Sequence, residues 1–272
     1  MKRTLLFTAI TTCFNGFQSI AQTVRMPVAV FYPAVTVYSS QQKDCFSFRD
    51  NSASLAELET FSAGVFSERR FLLKELSTCS FAAVVPTPSG SFGFAGDYFG
   101  SGLYNETLLS LSYGRKLGGR VAAGVGFHYT ALKAAGYGSA STISFDAGAV
   151  FHLTDAVRTG LSVYNPAAVK FGKSGDEKLP SLYSFGIGYD ASPQLFVGAE
   201  AQKLEDQPVS INAGLQYLFA EKLTARCGIS SATAVYYLGF GVKVQRFRID
   251  ATASFHPYLG VTPGLLLLYS AK

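Results

Sequence analysis

After about residue 60, apolar and polar residues alternate with a period of two. Within 106–117, Leu109, Leu111 and Tyr113 fall on one face and Ser110, Ser112 and Gly114 on the other. In 120–132, Val121, Ala123, Val125, Phe127 and Tyr129 alternate with Ala122, Gly124, Gly126, His128 and Thr130. The segments 140–153, 208–219 and 246–256 repeat the rule, with Phe145 against Ser144 and Asp146, Leu215 against Gly214 and Gln216, and Ile249 against Arg248 and Asp250. Successive side chains of an extended backbone point to opposite sides, so this pattern predicts strands.

The two faces differ in kind. A sheet in water shows Lys, Glu and Thr to the solvent, whereas here the polar face is mostly Gly, Ser and Ala with single charges. That composition suits the confined interior of a barrel whose outer face meets lipid. Turn signals at 87–90, 117–119, 154–156, 190–193, 220–222 and 244–245 predict short connections. Between them, 67–77, 100–105, 133–139, 165–181, 204–207, 230–232 and 256–263 read as longer ones. Short periplasmic turns alternating with longer external loops are the habit of outer-membrane barrels. The reading gives an all-β transmembrane antiparallel barrel of about 14 strands over residues 61–272, with spans near the 9–11 residues of a tilted strand.

Composition supports the same class. Charged residues make up 15% of the chain, against about 25% in soluble domains. No stretch approaches the roughly 20 apolar residues of a membrane-spanning helix. The net charge of +5 is scattered, with no basic patch to neutralise phosphates, so nucleic acid is not an expected partner while outer-membrane lipid is. Lys2-Arg3, the apolar stretch 5–10 and Ser19-Ile20-Ala21 predict a signal peptide over 1–21. Residues 22–60 break the barrel rhythm: Pro27 and Pro33 interrupt an apolar run, and Asp50 or Asn51 caps a short helix over 52–59. This segment is expected to plug the lumen as a hatch or to hang in the periplasm. Cys45, Cys79 and Cys227 are too irregularly spaced for a disulfide framework or a metal cluster; one bridge or three small apolar residues are the alternatives.

A charge facing lipid at mid-membrane costs about 2–4 kcal/mol, which assigns Asp97, Asp146, Arg158, Glu200, Arg226, Arg248 and Asp250 to the lumen, together with His128. Both signs are present, and an internal ion-pair network is favoured over a selective pore. His128, Asp146 and a lumen serine could form a Ser/His/acid arrangement, but lumen serines are many and no nucleophile motif is present, so no enzyme, cofactor or metal is expected. Tyr98, Tyr113, Tyr129, Tyr183, Tyr189 and Tyr217 lie near strand ends, where an amphipathic ring suits the headgroup layer. Phe71, Leu72 and Leu73 are unusually apolar for a loop and form a candidate partner surface.

These features resemble the fatty-acid-transporter-like (FadL-like) barrels, in particular the PorV/PorQ/PorP-type proteins associated with type IX secretion. The matching stretches are Asn51-Ser52-Ala53-Ser54-Leu55-Ala56, similar to that group's Asn-Pro-Ala-Gly-Leu-Ala turn with Ser52 in place of Pro, then Ser62-Ala63-Gly64-Val65 and Glu68-Arg69-Arg70-Phe71-Leu72-Leu73. Asn165-Pro166, Pro180, Gly188-Tyr189 and the closing His256-Pro257-Tyr258-Leu259-Gly260 add to it. The resemblance implies an outer-membrane protein and a role as component or docking partner in secretion, with other secretion-system proteins as partners. The alternative is a transporter of small hydrophobic molecules, for which inward-facing Phe196 and Leu218 are the hint.

Overall fold

The computed structural model describes residues 35–171, 178–205, 207–232 and 234–271. The wall consists of β1 (Ser62–Arg69), β2 (Ser77–Thr87), β3 (Gly90–Gly100), β4 (Tyr104–Lys116), β5 (Val121–Ala134), β6 (Gly138–His152) and β7 (Val157–Tyr164). It continues with β8 (Leu182–Asp190), β9 (Leu195–Leu204), β10 (Ser210–Phe219), β11 (Leu223–Ser230), β12 (Val235–Val244), β13 (Phe247–His256) and β14 (Gly260–Ser270). Each strand pairs antiparallel with the next, and β1 closes on β14, giving a closed barrel of 14 strands. Closure pairs every strand on both sides, so the wall has no free edge strand to leave a whole row of backbone N–H and C=O groups facing hydrocarbon.

The short turns occur where the sequence places them. The longer connections do so only in part: those between β3 and β4, β5 and β6, and β13 and β14 span just 101–103, 135–137 and 257–259. The flanking strands run further than hydropathy suggests because polar ends such as Lys133 and Ser139 still pair across the ladder. At Gly100 (φ +104°) the backbone leaves β3 in a conformation that disfavours a side chain. The 165–181 connection is the longest, and strands β7 and β8 beside it are short, so the 138–145 half of β6 has no partner in β7.

The outer rows are large and apolar. Phe127 on β5 is 59% exposed and Ile143 on β6 is 66% exposed, and Phe81, Leu109, Phe145, Phe185 and Leu238 stand outward beside them. A continuous apolar exterior of this kind is matched by hydrocarbon and not by water. The inner rows are small. Gly114, Gly124 and Gly148 lie opposite one another across β4–β6, and Gly188, Gly198, Gly214 and Gly228 do so across β8–β11.

Residues 35–60 run along these inner rows. Two apolar clusters join them to the wall: Phe46, Phe48 and Leu55 with Phe66, Val84 and Leu266, and Tyr38 and Ala53 with Ala122, Val150 and Phe196. The capped turn is a 3-10 helix, Ser52–Glu57, in which the Asn51 side chain accepts from the Ala53 N–H. The segment 1–21, expected as a signal peptide, and residues 22–34 lie outside the described residues. Cys45, Cys79 and Cys227 are free, the first in this segment and the others on the non-adjacent strands β2 and β11.

Candidate functional site: the lumen and the segment within it

The glycine rows let the segment approach the wall at backbone distance. A Cβ on Gly148 would stand 2.1 Å from Asn51 Oδ1, and one on Gly124 would stand 2.3 Å from the Ser52 carbonyl carbon. In that gap the Asn51 amide donates to the carbonyls of Ala149 (3.2 Å) and Leu161 (3.1 Å), tying the segment to β6 and β7. Asn51 therefore caps its own turn with Oδ1 and grips the wall with Nδ2, using donor and acceptor together.

Charge completes the contact. Arg49 grips Asp97 on β3 with two hydrogen bonds of 2.7 and 2.6 Å, a bidentate geometry that is among the strongest available to side chains. Ser80 also donates to Asp97 at 2.5 Å. Tyr38 donates to Glu200 on β9 (2.8 Å), which also accepts from Gln202 (2.5 Å). Near the barrel end that carries Ser62 and Ser270, Glu57 meets Lys43 and His152 (2.6 Å), while Arg158 pairs with Asp190 (3.1 Å). Asp190 is held in turn by the hydroxyls of Ser39 and Ser40, each at 2.7 Å. Burial raises the Glu57 carboxyl, but Lys43 and His152 outweigh it and keep the group below its ordinary value.

On the other side of the lumen, Arg226 pairs with the fully buried Asp250, which also accepts from Arg248 Nε at 3.1 Å. Arg248 reaches the segment through Asp44 at 2.9 Å. Every charge the sequence assigned to the lumen thus stands on an inward row of the wall. They do not converge on one site. Among the described residues they fall into separate groups, and those of Asp97, Glu200 and Arg158 depend on Arg49, Tyr38, Lys43 and Glu57, segment residues the sequence reading did not single out. Arg49, between the cap and an apolar run, carried no spacing signal that pointed to Asp97.

Asp50 differs from these. Neither of its buried carboxylate oxygens has a hydrogen-bond partner among the described residues. Burial pushes its carboxyl well above the ordinary range, the Glu200 charge pushes the same way, and Arg49 offsets part of the shift.

Two cavities touch different faces of the segment. One is lined by Phe48, Arg49 and Asp50, with Leu108, His128 and Tyr164 of the wall. The other lies toward the chain-terminal end, between residues 41–45 and the strands β10–β14, with Leu218, Lys243 and Arg248 on its lining. In the first cavity His128 Nε2 lies 2.5 Å from Asp146 and Nδ1 lies 2.8 Å from Ser110 Oγ. Of the inward apolar residues expected, Phe196 is buried beneath Tyr38 in the second cluster and Leu218 lines the terminal cavity.

The loop triplet divides. Phe71 turns back, its ring edge-on to His256 at 6.1 Å and its N–H bonded to Thr262 Oγ1, whereas Leu72 and Leu73 project outward, 65% and 50% exposed. Phe71 therefore packs against the protein's own rim and is not part of an outward triplet.

No protein-family model and no curated protein matches the chain. Solved structures of barrels do. A FadL homologue from Pseudomonas aeruginosa superimposes with TM-score 0.60 at 12% identity, covering 85% of this chain and 94% of that one. The toluene transporter TodX from Pseudomonas putida gives TM-score 0.60 at 10% identity, over 87% of this chain and 97% of that one. The outer membrane protein Omp33 of Acinetobacter baumannii gives 0.51 at 12% identity, over 78% and 98%. The wall thus has a FadL-like barrel fold.

Proposed function

We propose that this chain is a non-enzymatic outer-membrane barrel that passes small hydrophobic molecules, with residues 35–60 as the hatch. The observation that carries the reading is the pair of cavities on different faces of one segment: the hatch side chains at 48–50 border one and those at 41–45 border the other. A molecule entering against Phe48 and Leu108 reaches the terminal cavity once the hatch shifts. Polar pairs and apolar contacts alternate along the hatch: Tyr38 packs in the second cluster and also donates to Glu200, and Arg49 pairs with Asp97 beside Phe48 of the first. The fold likeness to a toluene transporter and a FadL homologue supports transport over the secretion role that the sequence raised first.

The test is a hatch locked to the wall. Ser39→Cys with Asp190→Cys, whose parent side chains are 2.7 Å apart, in a background with the native cysteines replaced by alanine, forms the tether. In liposomes the oxidised protein is expected to lose uptake of toluene and to regain it with reductant. Equal uptake in both states, or none in either, rejects the reading.

A second reading, docking in protein secretion in the manner of the PorV-type barrels, is favoured by one observation. Leu72 holds a left-handed backbone (φ +63°) that is costly for a branched side chain, in order to project from the rim. Leu72→Asp with Leu73→Asp is expected to leave toluene uptake intact and to abolish co-purification with a secretion-system protein. Unchanged co-purification removes this reading.

A further inference from the structure

The outer wall carries a groove where β6 to β9 approach the longest connection. Its volume is about 830 Å³, and its lining passes from Ala147 and Ala149 on β6 across Leu161 on β7 and Phe185 on β8 to Ala201 on β9. The short alanine side chains flank Leu161 and Phe185, which are both exposed on the outer face. Pockets of roughly 300–1,000 Å³ take drug-sized ligands, so the groove has room for an acyl chain. Pro166, Tyr183, Lys203 and Val209 line its upper end, at the level where the 165–181 connection begins. The short turns and both ends of the wall lie at the opposite end of the barrel, so the upper end is the external one.

Positive charge gathers at that end. Lys203 is exposed and stands opposite Tyr183 across β8 and β9. In the connection that rises from Pro166, the exposed Lys170 and Lys178 stand directly opposite each other in an antiparallel bridge. Asn165 fixes this connection, its amide donating to the Leu179 carbonyl and its own carbonyl accepting from Ser181 Oγ at 2.7 Å. Like charges set directly opposite repel. Among the described residues the lysines that pair with a carboxylate are Lys43 and Lys116, and none of these three does so. An anion at this end relieves the repulsion, and a phosphate is a common anionic partner of lysine. We propose that the groove seats one anionic, phosphate-bearing lipid of the outer leaflet, with an acyl chain along Ala147, Ala149 and Ala201 and its headgroup on Lys170, Lys178 and Lys203. An apolar wall alone accepts any lipid, and the lysines at the external end supply the selection by charge. The site lies on the outer face, goes beyond the transport reading and does not depend on hatch movement.

The test counts the lipid that stays bound. The full chain is released from nanodiscs made of equal parts phosphatidylglycerol and phosphatidylcholine with identical acyl chains, and native mass spectrometry reads the adducts. One phosphatidylglycerol is expected to remain in preference to phosphatidylcholine. Lys170→Gln with Lys178→Gln and Lys203→Gln is expected to weaken its retention about 10-fold or more. Lys74→Gln, at an exposed lysine of the connection between β1 and β2, is the matched control and should change nothing. Ala147→Phe with Ala149→Phe keeps every charge but fills the groove, and is expected to expel the lipid as well. Heat-modifiable gel mobility checks that each barrel folds, and Ala201→Leu replaces the alanine pair should that variant not fold. Inorganic phosphate is expected to displace no more lipid than chloride of equal ionic strength. Equal retention of the two lipids, retention unchanged in the folded variants, specific displacement by phosphate alone, or a second copy of the chain in place of the lipid each overturns the assignment.

Discussion

The inner wall solves the problem of a filled lumen in two ways. Along β4–β8, glycines at Gly114, Gly124, Gly148 and Gly186 remove the side chains, and the hatch fills the space; a Cβ on Gly186 would stand 2.1 Å from the Tyr38 ring. Along β10–β13 the wall fills the space itself. Tyr237 lies over Gly214 and Gly228, and Arg226, Arg248 and Asp250 form a cluster that meets the hatch at Asp44. The first arc is filled by a separate stretch of chain and the second by its own side chains. The cavity beside residues 48–50 lies on the glycine side, with Ser110 and His128, whereas the terminal cavity lies against the second arc.

The largest expected effect falls on the second arc. Arg226→Met leaves Asp250 buried with Arg248 as its remaining cationic partner, and breaking a buried pair from one side costs about 3–5 kcal/mol. Urea unfolding in lipid vesicles should show this loss, with much of it recovered when Asp250→Leu is added. A loss below about 1 kcal/mol would mean that the cluster is solvated and that the two arcs do not differ as described.

Next comes the seat. Gly148→Val forces a side chain into Asn51, and overpacking of this kind typically costs about 1–3 kcal/mol. The expected outcome is a barrel that still folds but whose hatch is cut by protease. Gly119→Val, at a turn with no atom within 4 Å of the added Cβ, is the matched control and should change neither. Equal protease resistance in the two variants would show that the glycine row does not seat the hatch.

The smallest effect concerns pH. Asp50 has its carboxyl raised by burial and by Glu200, so the folded state holds the proton more tightly than the unfolded chain. Its contribution is fully present below the ordinary carboxylate value near 3.9 and is lost as pH rises through the elevated one. Hatch docking should weaken with rising pH over that window, and Asp50→Asn should flatten the dependence. Fluorescence from a label on the hatch across a pH series measures it. A slope unchanged in the variant would assign the effect to another group, with the Glu57–His152 pair the first to examine.

How far the residues themselves disclosed this arrangement varies with the range of the interaction. Val125, Phe127 and Tyr129 alternate with Gly124, Gly126 and His128 because one environment, hydrocarbon, lies along the whole outer side. Strand identity, face assignment and the barrel class follow from that local rule. So does the Asn51 cap, which acts within two residues. Loop lengths were less legible, since polar strand ends such as Lys133 and Ser139 look like loop until a neighbour pairs with them. The glycine row was visible as composition, yet its purpose was not, because a missing Cβ says nothing about which atom takes its place.

The sequence by itself determined a lipid-facing exterior, an even-stranded wall and a set of charges that had to point inward, since burial against hydrocarbon acts on each residue separately. The tertiary structure decided which of those groups meet. Arg49 finds Asp97 at a separation of 48 residues, Tyr38 finds Glu200 at 162 and Arg248 finds Asp44 at 204. It also chose Ser110 from the many lumen serines to face His128. Periodicity fixes the face on which a side chain lies, but the level of its partner depends on the register of every strand between them and on a chain segment that enters the lumen from outside the wall.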